Sequence, residues 1–132
     1  MLDPFGKIFV LDSVLAAYVF SRSGKLIAAR EERFNGVPSN LVKLGGFSRD
    51  LANAGNETSE LILQYSHGML FFRIIDGRVL VLVAGPRTVL SLLRMTVEVI
   101  EHEWRSRGVE RLFPLKRERA RWPWKRRPGR SE

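Results

Sequence analysis

Few residues in this chain of 132 have the types and spacing that chemistry requires. Ser23-Gly24-Lys25 comes nearest to a phosphate-binding loop. That loop needs another glycine five positions before Gly24, where Val19 stands, and a hydroxyl after the lysine, where Leu26 stands. A hairpin turn accounts for these residues better. Asn56-Glu57-Thr58 fits a glycosylation acceptor, but Met1–Leu11 carries Asp3 and no long apolar run, so no secretory leader is expected. Cysteine is absent, which removes disulfide and thiolate chemistry. His67 falls in a turn and His102 on the polar side of a helix; a solvated, structural role is the expectation for both. A metal site would need carboxylates beside them, and no such cluster occurs. No nucleophile has a base nearby in sequence. The expectation is a protein without intrinsic catalysis, metal or cofactor.

The second chemical signal is charge. The net +8 is confined to the last 28 residues, which hold eleven Lys/Arg against Glu110, Glu118 and Glu132. Residues 1–104 carry eleven of each sign and cancel. The high basicity therefore belongs to a tail on a neutral domain. In that tail Trp122 and Trp124 flank Pro123 and lead into Lys125, Arg126 and Arg127. Pro114, Pro123 and Pro128 forbid one continuous helix. A purely solvating tail seldom carries such apolar bulk. Tryptophan beside basic residues suits a lipid headgroup boundary, unpaired bases or a protein pocket. An anionic surface, membrane or acidic protein, ranks above nucleic acid, because the neutral domain offers no basic groove to extend the footprint.

Within the domain, Glu60–Gly85 holds three apolar runs, Leu61–Ser66, Met69–Ile75 and Arg78–Ala84. Asp76-Gly77 between the last two is a type I′ hairpin signal. Leu70, Phe72 and Ile74 face one way; Met69, Phe71 and Ile75 face the other, with Arg73 among them. A sheet with one wet face would alternate apolar and polar, so this meander must be covered on both sides. Earlier, Val14–Phe20 and Lys25–Ala29 flank Ser21–Gly24 as a hairpin, and Arg30–Gly36 reads as polar loop. Asp3-Pro4 can start a short helix with Phe5, Ile8 and Phe9 on its apolar side, although Lys7–Leu11 could equally be extended. Pro38-Ser39-Asn40 opens a helix with Leu41, Leu44, Phe47 or Ser48, and Leu51 at helical spacing, ended by Gly55-Asn56. Gly45-Gly46 in its middle either breaks it or admits another backbone closely. Thr88 caps a last helix, Val89–Arg107, with Val89, Leu92, Leu93, Thr96, Val97, Ile100 and Trp104 on one face. Its other face pairs Arg94 with Glu98 and Glu101 with Arg105. Gly108 ends it.

This order, with the stretches VLAAYVFSRSGKLIAA and MLFFRIIDGRVLVLVAGPRTVLSLLRMTVEVIEHEW, resembles the Roadblock/dynein-light-chain family over about residues 3–107. The first helix is shorter than that family's, and the basic tail lies outside its pattern. The resemblance implies an α+β, profilin-like fold. Its five-stranded antiparallel sheet runs in the order 2-1-5-4-3, with the middle helix on one face and the first and last helices on the other. The domain is then 1–108 and the tail 109–132. The resemblance also implies a homodimer, with the edge strand of Leu61, Leu63 and Tyr65 paired to its own copy and the middle helices side by side at Gly45 and Gly46. Family members bind small Ras-like GTPases or, in eukaryotes, dynein intermediate chain. Lys43, Arg49 and Asp50 beside the middle helix's apolar stripe are the expected partner contacts.

Three functions compete on these residues. One is a non-enzymatic homodimeric regulator or scaffold for a small GTPase, modulating its hydrolysis. Another is an adaptor that binds anionic membrane or nucleic acid through Trp122, Trp124, Lys125, Arg126 and Arg127. An enzyme or small-ligand sensor on a profilin-like sheet ranks last, because no polar constellation converges in the sequence. No run approaches the roughly 20 apolar residues of a membrane span. A cytoplasmic protein, touching membrane at most peripherally through the tail, is the expectation.

Overall fold

A computed structural model describes residues 3–54 and 59–115. Five strands form one antiparallel sheet: β1 (Val14–Ser21), β2 (Leu26–Glu31), β3 (Glu60–Tyr65), β4 (Gly68–Ile75) and β5 (Arg78–Ala84). Their order is β2-β1-β5-β4-β3, as the resemblance implies. The helices are α1 (Pro38–Ala52), α2 (Leu90–Arg107) and the short α3 (Val109–Leu112).

The turns follow from backbone chemistry. Asp76 and Gly77 take φ of 47° and 80°, the pair of positive values a type I′ turn demands. Strand β2 runs past Ala29, since Arg30 and Glu31 pair with Ala17 and Ala16 of β1; the polar loop starts only at Glu32. The Asp3 carboxylate accepts the Phe5 amide at 2.9 Å, as a cap would. No α-helix follows: Ile8–Val10 is a single 3-10 turn, neither the helix nor the strand weighed from sequence. It still delivers Phe5 and Ile8 to the core.

Both faces of the sheet are covered. On one, Met69, Phe71 and Ile75 of β4 and Leu80 and Leu82 of β5 pack under α2, the N-terminal 3-10 turn and α3. On the other, Phe72, Val79 and Val81 pack under Leu44 and Leu51 of α1. The buried stripe of α2 is narrower than its sequence suggests. Leu93, Val97, Ile100 and Trp104 are buried, whereas Val89 and Leu92 are 59% and 47% exposed. Thr88 does not cap this helix. Its hydroxyl donates to the Gly85 carbonyl at 2.7 Å, and Val89 holds the cap position without a side-chain bond. Of the two ion pairs expected along α2, Glu101–Arg105 forms at 2.8 Å, while Arg94 reaches Glu60 of β3 at 2.7 Å instead.

Packing continues beyond Gly108, where the sequence reading began the tail. Val109 and Phe113 are buried, and the Phe113 ring lies 4.6 Å from Trp104 and 5.9 Å from Phe5. Buried Arg78 clamps this segment by donating to the Phe113 carbonyl at 3.0 Å. The Trp104 indole N–H donates to the Pro4 carbonyl at 3.0 Å, so the two ends of the packed unit meet at one aromatic cluster.

Candidate functional site

Helix α1 and strand β3 hold the site residues read from the sequence, and α1 owes its position to glycine. It runs unbroken through Gly45-Gly46. A Cβ on Gly45 would lie 2.4 Å from the Gly24 carbonyl oxygen, and one on Gly24 would lie 2.6 Å from that of Gly45. Gly24, at φ 91°, turns the β1–β2 hairpin. The close approach expected at Gly45 is therefore made within the chain, to this hairpin. A Cβ on Gly46 meets nothing within 4 Å. Of the two glycines, only Gly46 has its space free for another molecule.

The loop before α1 is tied down by charge. The buried Tyr18 hydroxyl donates to Glu31 at 2.6 Å, and the Gly36 amide donates to the same carboxylate oxygen at 3.0 Å. Burial, then the Glu31 bond and charge, pushes the Tyr18 phenol well above its ordinary pKa. The Tyr18 bond, then the Gly36 amide, holds the Glu31 carboxyl below its ordinary value.

Turned this way, α1 leaves part of the sheet open. Leu61 and Leu63 of β3 and Leu70 and Ile74 of β4 lie on its side only half-buried, while Tyr65 is 53% exposed. On the opposite side of β4, Met69, Phe71 and Ile75 are buried. There Arg73 sits 17% exposed between Glu60 at 2.8 Å and Glu101 at 3.1 Å, and Arg94 adds a second cation to Glu60. The sequence placed Arg73 on this apolar face without a partner. A cation there requires buried carboxylates, and that was the signal for Glu60 and Glu101.

Between α1 and the β3–β4 turn lies a cleft of about 560 Å³. Asn40, Lys43, Leu44 and Phe47, one side of α1, form a wall. Tyr65, Ser66 and His67 form the opposite wall. The floor comes from Leu15, Leu70 and Val83, and Phe34 lies at its margin. The cleft thus brings Tyr65 and Lys43 together. The partner contacts expected on α1 do not share a face. Lys43 and Asp50, seven residues apart, lie on one stripe, and Arg49 lies about 120° around the helix. Arg49 pairs with Asp50 at 3.4 Å, both largely exposed. Among the described residues, no group of three or more His, Cys, Asp or Glu is placed to hold a metal. No helix among them is long and apolar enough to cross a membrane. Trp122, Trp124, Lys125, Arg126 and Arg127 lie outside the described residues, as do Gly55 and Asn56; α1 ends at Ala52, before that glycine.

No protein-family profile and no curated protein matches the chain. Solved structures do match. A Roadblock/LC7 domain from Streptomyces avermitilis superposes with a TM-score of 0.63 at 13% identity, covering 76% of this chain and 90% of that one. The fold is the Roadblock fold. Myxococcus xanthus MglB gives 0.60 at 17% identity, over 76% of this chain and 84% of MglB. Profilin from Schizosaccharomyces pombe gives 0.59 at 15% identity, over 77% and 93%. The wider profilin-like architecture is thus shared as well. Within the Roadblock fold, β3 is the outer strand beside the open flank of α1.

Proposed function

We propose that this chain is a non-enzymatic, homodimeric scaffold that binds a small Ras-like GTPase and modulates its GTP hydrolysis, in the cytoplasm. The observation that carries the reading is the uncovered flank of the sheet. Leu61, Leu63 and Tyr65 sit on an outer strand whose free N–H and C=O groups are a template for pairing. A second copy paired along β3 would satisfy those groups and cover Leu61 and Leu63. Val42, 74% exposed, and the open space at Gly46 leave α1 room for the partner's α1 on the same face. Self-association is in keeping with an MglB structure described in a tetrameric arrangement. The partner class comes from the Roadblock resemblance. The GTPase would meet the α1 surface at Lys43, Arg49 and Asp50. The basic tail gives a second contact, with an anionic surface.

Light scattering on the full chain tests the dimer. Wild type should be a dimer, and Leu63→Lys, which places a charge in the paired edge, should be monomeric or insoluble. An unchanged dimer from Leu63→Lys refutes pairing through β3. For the partner, Lys43→Glu with Arg49→Glu should weaken GTPase binding; unchanged affinity moves the contact elsewhere.

A further inference from the structure

We infer that the cleft between α1 and the β3–β4 turn is a binding site for a small amphiphile, a single aliphatic chain ending in a carboxylate. Its volume of about 560 Å³ lies within the roughly 300–1,000 Å³ of small-molecule sites. Its floor is aliphatic, from Leu15, Leu70 and Val83, and Phe34 and Phe47 add aromatic edges. These surfaces suit an alkyl chain and offer nothing to a polar one.

The rim specifies the other end. Among the described residues, no aspartate or glutamate lines the cleft. Lys43 projects from α1 and His67 from the opposite wall, both exposed, and neither has an ion pair or hydrogen bond among the described residues. Asn40 and Ser66 add uncharged donors. Helix α1 also begins beside the cleft with no side-chain cap and no acidic residue in its first turn. Its positive end therefore adds to the Lys43 charge. One fixed cation with a few neutral donors matches a carboxylate.

Two other occupants fit less well. The tail, with its excess of Lys and Arg, would bring like charge to a basic rim. A second copy paired along β3 would take up that strand's outer backbone edge, whereas the cleft is on the α1 face of the sheet. The cleft lies at the strand end, walled by Tyr65 and the turn into β4. The inference does not need the GTPase reading, although both use Lys43.

The test is calorimetric titration of the full chain with octanoate, decanoate and dodecanoate below micellar concentrations, alongside decanol. Affinity should rise about fourfold per methylene. Decanol should bind about tenfold more weakly than decanoate, having no charge for Lys43. Lys43→Gln should bring decanoate down to the level of decanol and leave decanol unchanged. Leu70→Trp, which fills the floor, should abolish both; backbone amide spectra check that this variant is folded. No chain-length dependence, or equal affinity for alcohol and acid, overturns the site. So does binding that survives both variants, which would come from another surface, the tail included. Binding by the Leu63→Lys monomer alone would mean that a second copy closes the cleft, and overturns it equally.

Discussion

Gly45 and Gly46 are chemically identical neighbours on one helix, and the structure assigns opposite signs to their replacement by alanine. Both variants gain the same intrinsic helix preference, about 1 kcal/mol per glycine removed. At Gly46 the new methyl meets nothing within 4 Å, so within one copy that gain stands alone. At Gly45 it lands 2.4 Å from the Gly24 carbonyl oxygen and 3.4 Å from the Phe20 ring. Carbon and oxygen cannot approach so closely, so α1 and the hairpin must separate by roughly 1 Å. Overpacking of this kind costs about 1–3 kcal/mol. The obstacle is backbone on a turn whose φ of 91° leaves no easy relaxation. Because the preference is common to both, the difference between the variants isolates the clash at about 1–3 kcal/mol, with Gly46→Ala the more stable. For a domain of this size each kcal/mol moves Tm by several degrees. Urea unfolding followed by circular dichroism measures the difference, repeated over a range of protein concentrations so that any dimer contribution separates. Equal stabilities, or Gly45→Ala above wild type, would show that the hairpin does not rest on Gly45.

The remaining expectations concern charge. Glu31, whose pKa is held down in the fold, contributes stability that is present above its unfolded value of about 4.5 and is lost as pH falls through the folded value. Tyr18→Phe should flatten this acid limb in a series of urea titrations from pH 7 to pH 2; an unchanged limb refutes the Tyr18–Glu31 assignment. Wild type should also lose stability above about pH 10, where the unfolded Tyr18 ionises and the folded one resists. Arg73→Ala leaves Glu60 to Arg94 and Glu101 to Arg105, removes one cation from each of these carboxylates, 20% and 13% exposed, and should cost about 1.5–3 kcal/mol. Arg94→Ala, at a cation 45% exposed, should cost under about 1 kcal/mol; equal losses would mean that the network is not centred on Arg73. Full-length protein should bind anionic vesicles at low salt, by about 1 kcal/mol per basic residue near the surface. Trp122→Ala with Trp124→Ala should weaken that binding but keep its salt slope, and no binding at all eliminates the membrane role of the tail.

Strand identity and facing were written in the residue pattern. Met69, Phe71 and Ile75 against Leu70, Phe72 and Ile74 needed only the two-residue period of a strand, and Asp76-Gly77 needed only the steric demands of its turn. Helix arcs were less legible. Leu92 and Leu93 have the same composition and differ by 100° of rotation, and only the sheet beneath decides that Leu93 is buried while Leu92 is not. Contacts between distant segments were not legible at all. Nothing near Glu60 announces Arg94, and nothing near Phe113 announces Phe5 and Trp104. The cleft belongs to this class too: its walls come from residues 40–47 and 65–67, and the docking of α1, through the Gly24–Gly45 contact and its buried leucines, sets the gap between them.

That contact also explains why one side of the sheet is open. On the α2 side, an 18-residue helix, the N-terminal 3-10 turn and α3 share the covering, and Arg73 with Glu60 and Glu101 closes the margin over β4. On the other side a single 15-residue helix must cover five strands. Drawn toward the β1–β2 hairpin by its glycine, α1 lies over β1 and β5 and falls short of β3. Leucines on β3 and β4 are left half-buried as a consequence of where the helix docks. Lengthening the Gly24–Gly45 approach would shift α1 across the sheet. It should therefore alter the cleft and the exposed edge together, so that Gly45→Ala, beyond its cost in stability, would change self-association where Gly46 provides only space.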